Sequence, residues 1–151
     1  MTKTYFSKIQ NTIPFEGRDS KNPFAFKYYN KEQRVGSKTM GEHLRFSVAY
    51  WHSLLGNGAD MFGGPSFERD WRKASDPMDR AKETLDAAFE FFQKLGIDYY
   101  CFHDRDIAPE GDDFSQSIKN LQTIVGLAKQ KQKETGVKLL WGTANLFSKP
   151  I

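Results

Sequence analysis

His103 and Asp106 stand three residues apart where an apolar run, Tyr99-Tyr100-Cys101-Phe102, breaks into charge, His103-Asp104-Arg105-Asp106. A carboxylate beside an imidazole accepts its N–H, fixes the tautomer and raises the basicity of the other ring nitrogen. Such a pair suits general acid–base catalysis. The plainer reading is a structural histidine at a strand end with a capping aspartate. Arg105, between the two acids, is expected to hold carboxylates by ion pairs. Glu110, after Pro109, is expected to be a charge at a helix start. Trp51, Trp141, Thr143 and Phe147 close other apolar runs. Their rings could stack on the C–H faces of a polyol and the Thr hydroxyl could bond its oxygens, or all four could be core. His43 and His52 are single histidines, and no His, Asp or Glu pair has a recognised metal spacing, so no complete metal site is expected. A phosphate-binding P-loop and a dinucleotide fingerprint are both absent.

The elements that must position these groups are legible in part. From Leu44 to Trp51, alternation of Phe46, Val48 and Tyr50 suits a first strand, although Leu44, Val48 and Trp51 also fit a helical period. A glycine-rich loop, Gly56 to Gly64, lifts Met61 and Phe62 into water, which is costly unless something receives them. Asp76 is a good N-cap and Pro77 a good first helical residue. Met78, Ala81, Leu85, Ala88, Phe92 and Leu95 then recur on one face, and Gly96 ends the helix. The second strand is Ile97 to His103. A loop, Asp104 to Asp113, leads to a helix from about Phe114 to Glu134, with Phe114, Ile118, Leu121, Val125 and Ala128 as its buried stripe. Gly136 caps it, and a third strand runs from Val137 to about Thr143.

Strand, helix, strand, helix, strand is the order of parallel β/α units. The predicted fold class is α/β: the first three units of an eight-stranded (β/α)8 TIM barrel, incomplete in this chain, behind an N-terminal arm. The expected division is an arm at 1–37 and a partial barrel domain at 38–151. The arm is punctuated by turn formers yet rich in aromatics, so it is expected to lie along a surface of its own domain or of a neighbour. In such barrels the C-terminal strand ends carry the chemistry. That would place His103, Trp51, Trp141, Thr143 and Phe147 on one rim.

Composition narrows the function class. A net charge of +3, with Lys and Arg scattered among acids, is a solvated surface and no nucleic-acid footprint. One cysteine excludes an internal disulfide framework and suits a reducing compartment. No hydrophobic signal segment or membrane-length apolar run is read, so a soluble cytoplasmic protein with no membrane partner is expected.

Several longer motifs are familiar. They include Phe15-Glu16-Gly17, Asp19-Ser20-Lys21-Asn22-Pro23 and Tyr50-Trp51-His52. They continue with Gly58-Ala59-Asp60-Met61-Phe62-Gly63, Phe102 to Gly111, and Leu140-Trp141-Gly142-Thr143-Ala144-Asn145. In this order they resemble the N-terminal portion of the xylose isomerases, in the branch with longer subunits. The resemblance implies a (β/α)8 barrel that interconverts D-xylose and D-xylulose, and D-glucose and D-fructose, by a hydride shift. It implies two divalent cations (Mg, Mn or Co) and a homotetramer built from close dimers. It implies that His103 assists ring opening with Asp106 orienting it, and that Trp51, Trp141, Thr143 and Phe147 line the sugar pocket. Phe62 is implied to enter a neighbouring subunit's site. The family's metal ligands and catalytic lysine come from later strands, so none is expected here. Activity is therefore expected only with the remainder of the barrel. The alternative is a truncated, non-catalytic remnant that oligomerises or binds sugar.

Overall fold

The computed structural model describes residues 3–145. Its centre is a three-stranded parallel sheet with two long helices, a mixed α/β arrangement. The segment before it turns at Gly36 (φ +63°), where glycine carries the left-handed backbone, between two short antiparallel strands, β1 (Arg34–Val35) and β2 (Lys38–Thr39). A single helical turn follows, α1 (Met40–His43). Thr39 accepts from the Glu42 amide and Glu42 reaches back to the Thr39 amide.

The first sheet strand, β3, is only Ser47–Ala49, shorter than the expected Leu44–Trp51. Leu44 and Phe46 precede it and stay exposed. After Tyr50 the chain winds into a π-helical turn, Trp51–Leu55. The helical spacing of Leu44, Val48 and Trp51 was the competing signal, and it prevails at the C-terminal end. A 3₁₀ turn, Asp70–Arg72, then buries Trp71, whose indole N–H donates to the Leu54 carbonyl at 2.9 Å. Sequence reading had passed over Trp71.

α2 (Pro77–Leu95) has the anticipated ends: the Asp76 carboxylate accepts from the Asp79 amide, and Gly96 closes it in the left-handed region (φ +71°). Ala81, Leu85, Ala88 and Phe92 are buried as the periodicity requires, joined by Thr84, Ala87 and Phe89. β4 (Tyr99–His103) begins two residues later than expected and is the middle strand. A short helical turn, α3 (Asp104–Ile107), occupies what was read as the start of a loop. α4 (Phe114–Thr135) is capped by Asp113 and ended by Gly136, and β5 (Lys138–Thr143) follows.

The buried face of α4 differs from the expected stripe. Ser117, Asn120, Ile124 and Ala128 are inside, while Phe114 and Ile118 are exposed. Polar bonding at the helix start sets this rotation. The Ser117 hydroxyl accepts from the Gly111 amide, and the Asn120 side chain donates to the Pro109 carbonyl. Those bonds fix the preceding loop and leave the first two residues of the stripe facing water, while Leu121 and Val125 pack partly buried against the core and Ala128 is buried.

β4 pairs in parallel with β3 (Ser47 beside Tyr99) and with β5 (His103 beside Thr143). Between sheet and helices lies an aromatic core. Tyr100 stacks on Phe92 at 5.2 Å between centroids and meets Phe89 edge-on at 5.4 Å. The N-terminal arm lies along its own domain. The Glu90 carboxylate accepts the Tyr5 and Phe6 amides, Phe6 packs on Trp71 and Phe91, and the Ile13 amide donates to the Lys94 carbonyl at the end of α2.

Candidate active site

Parallel pairing decides what meets at the C-terminal edge of the sheet. Register sets His103 of β4 beside Thr143 of β5, and Cys101 beside Trp141. Trp51 begins the π-helical turn two residues beyond β3, at the same end. Three rings therefore converge. Trp51 lies 4.6 Å from His103 and 5.7 Å from Trp141, and His103 lies 5.6 Å from Trp141, centroid to centroid. The imidazole is flanked by two indoles, an apolar wall with a polar tip.

The α3 turn brings Asp106 back under the histidine. One carboxylate oxygen, Oδ2, accepts from the His103 backbone N–H at 2.7 Å and lies 2.9 Å from Nδ1. A carboxylate only accepts, so Nδ1 is the donor of this pair. The Asp106 side chain is 10% exposed and that of His103 28%, so the carboxylate is the sheltered member and the imidazole the accessible one. The carboxylate thus holds the imidazole in one orientation.

The neighbouring charges hold structure. Asp104 Oδ1 accepts from the Arg105 amide at 2.8 Å and from the Asn145 amide at 2.9 Å, tying the segment after β5 to the start of α3. Arg105 pairs with Glu110 at 2.9 Å, the ion-pair role expected of it. Glu110 itself does not stand at a helix start, because α4 begins after the Asp113 cap. His43 Nε2 lies 3.0 Å from the Val35 carbonyl, and the His52 ring packs on Trp51. Tyr50, fully buried beneath Trp51, has a hydroxyl with no hydrogen-bond partner among the described residues. Burial, then the neighbouring Tyr100, pushes its phenol well up.

The structure thus brings together His103, Asp106, Trp51, Trp141 and, by register, Thr143. Phe62 is 90% exposed at the tip of the 56–67 loop, outside its own chain's mouth. Phe147 lies outside the described residues. Among the described residues no group of three or more His, Cys, Asp or Glu is placed to hold a metal ion, so they do not fit a cation pair. A cavity of about 580 Å³ lies at the opposite end of the sheet, between the arm and the starts of β3 and β4, and is lined mostly by apolar groups such as Phe15, Phe26, Phe46 and Ile97. It holds no imidazole among its lining residues, and His103 and Asp106 are at the other end. Among the described residues no helix is long and apolar enough to cross a membrane.

No protein-family model matches the chain. Individual curated proteins do. A xylose isomerase of Mannheimia succiniciproducens is 56% identical over 146 residues, covering 97% of this chain and 33% of that protein. A xylose isomerase of Actinobacillus succinogenes is 55% identical over the same length and shares. Xylose isomerase 2 of Xanthomonas campestris pv. campestris is 58% identical over 148 residues, 98% of this chain and 33% of that protein. The chain is thus similar to xylose isomerases over nearly its whole length, consistent with an N-terminal portion, and spans about a third of the relatives it matches.

Proposed function

We propose that this chain supplies the N-terminal β/α units of a (β/α)8 aldose–ketose isomerase acting on D-xylose and D-glucose. His103 opens the cyclic sugar. Its Nε2 takes the proton of the anomeric hydroxyl as the bond from C1 to the ring oxygen breaks, C1 becomes the aldehyde carbon, and Nε2 returns that proton to the former ring oxygen. Asp106 holds the imidazole for this step, and Trp51 and Trp141 receive the apolar faces of the sugar. Thr143 completes the near wall, and Phe147, outside the described residues, is proposed as a further sugar contact. The observation that carries the reading is the 2.9 Å contact of His103 Nδ1 with Asp106, set between two indoles at one sheet edge.

For the hydride shift the full enzyme would draw polarisation of the substrate from two divalent cations (Mg, Mn or Co). The described residues offer them no ligand cluster, so no part of that shift is assigned to this chain. The remaining barrel strands are the required partner. The proposed assembly is a homotetramer in which Phe62 reaches a neighbouring subunit's mouth, which accounts for its exposure on the loop tip.

The test is His103→Ala in the native protein, supplied with metal and, where needed, with a C-terminal fragment completing the barrel. The rate on cyclic xylose should fall roughly 10²-fold, as for loss of a positioned base. An unaltered rate overturns the ring-opening role. Calorimetry on the unsubstituted protein separates the alternative, since a non-catalytic sugar-binding domain takes up xylose without turnover.

A further inference from the structure

The loop bearing Phe62 is tied at its neck. The Asn57 carbonyl accepts from the Ser66 amide at 3.0 Å and the Phe67 amide at 3.3 Å. At the tip, Asp60 Oδ1 accepts from the Phe62 amide at 2.7 Å and the Gly63 amide at 3.0 Å, leaving Met61 and Phe62 outward at 88% and 90% exposure. Gly58 has φ +81°, and a Cβ there would fall 2.0 Å from the Ser66 hydroxyl, so the two sides of the neck are in contact.

One side chain spans this neck and the core. The Arg69 guanidinium lies 4.6 Å from the Phe67 ring and 5.4 Å from the Trp71 ring, and its Nε donates to the Gly56 carbonyl at 3.1 Å. It therefore touches the loop's entry at Gly56, its exit at Phe67, and buried Trp71. Trp71 in turn donates to Leu54 in the turn that begins with Trp51.

We propose that Arg69 is a positioning residue that pins both ends of the 56–67 loop to the Trp71 anchor and so fixes where Met61 and Phe62 are presented to a second copy of this chain. The presentation half rests on the reading that Phe62 reaches a neighbouring subunit. The pinning half rests on the contacts alone. Two exposed apolar side chains on a free loop would lose much conformational entropy on docking, whereas a pinned loop has lost it already. A planar guanidinium stacks on rings and keeps a directed Nε donor, whereas a lysine ammonium offers a ring only a point charge and has no donor at the Nε position.

The experiment uses the native protein with Arg69→Met, Arg69→Lys and Phe67→Leu. Amide exchange across residues 57–66 should speed up roughly tenfold in Arg69→Met, less in Arg69→Lys, and stay unchanged across α2. Phe67→Leu, at a half-exposed ring, gives the same direction if Arg69→Met does not fold. Unchanged loop exchange overturns the assignment of Arg69. In parallel, Phe62→Ala should raise KM for xylose, Arg69→Met should raise it too, and the double variant should be no worse than Phe62→Ala. If Phe62→Ala leaves KM unaltered while loop exchange still accelerates, the neighbouring-subunit reading fails and Arg69 pins a loop that serves no second copy.

Discussion

Replacing Asp106 by asparagine isolates what the carboxylate does for the histidine. The side chain keeps its size, and its remaining carbonyl oxygen can still accept from the His103 amide, now 2.7 Å from Oδ2. It can also accept from Nδ1–H, since Oδ2 alone takes both bonds in the native chain, but as a neutral oxygen it holds both more weakly. A hydrogen bond to a charged group contributes about 1.5–3 kcal/mol, and with the imidazole 28% exposed the lower end applies. That is roughly tenfold in orientation alone. With the charge gone but the tautomer kept, the loss on a cyclic sugar should be about tenfold, the lower range for weakening an orienting partner. Because the backbone bond survives, Tm should move by no more than about 3 °C. The assay pairs initial rates with nitrogen NMR of the imidazole: Nδ1 protonated in both proteins, with a weaker hydrogen bond in Asp106→Asn. An unaltered rate alongside a weakened Nδ1 hydrogen bond would refute the argument that the carboxylate's charge orients the imidazole for the reaction.

Two further outcomes test the scaffold. Phe92→Ala, at a fully buried ring stacked 5.2 Å from Tyr100, should cost about 3–5 kcal/mol in denaturant unfolding, and a loss below about 1 kcal/mol would mean the core is not where the helices meet the sheet. Alkaline stability should depend on Tyr5, whose phenol is pushed from its ordinary 10.0 up to about 12 by burial first and by Glu83 next. The native state then holds this proton more tightly, so its contribution is complete below pH 10 and is lost as pH rises through 12. Tyr5→Phe should flatten part of that fall, the raised Tyr50 and Tyr100 phenols accounting for the rest; an identical pH profile would contradict it.

The long helices were legible because their stop and start signals are local. Asp76-Pro77 and Gly96 bound α2 without help from tertiary structure, as Asp113 and Gly136 bound α4. The rotation of α4 was not legible, since an apolar stripe from Phe114 to Val125 outweighs, in any pattern count, the two polar residues that bond to the Pro109–Gly111 loop. β3 was overextended because Leu44 to Trp51 satisfies both periods, and only the parallel partner decides where pairing stops. At the site, the proximity of His103 and Asp106 followed from a three-residue spacing. That Asp106 also caps the His103 backbone needed the α3 turn, and the packing of both indoles around the imidazole, one tilted and one edge-on, needed the register of three strands. Arg69 and Trp71 carried no motif. An arginine two residues from a tryptophan and two from a phenylalanine was the available signal, and it gained meaning only once Gly56 stood beside it.

The central place of β4 also bears on the order in which the mouth assembles. Both neighbours of β4 are distant along the chain and are reached only across a helix, so each pairing closes a long loop. The imidazole and its carboxylate need no such closure, since a single turn of backbone joins them. A nascent chain can therefore hold the His103–Asp106 pair soon after Asp106 is made. It gains the two indole walls only as Trp51 is folded in from one side and Trp141 arrives from the other. The two parts of the mouth are thus built by separate folding events, and a defect in either crossover would leave the proposed base without the proposed wall for a substrate.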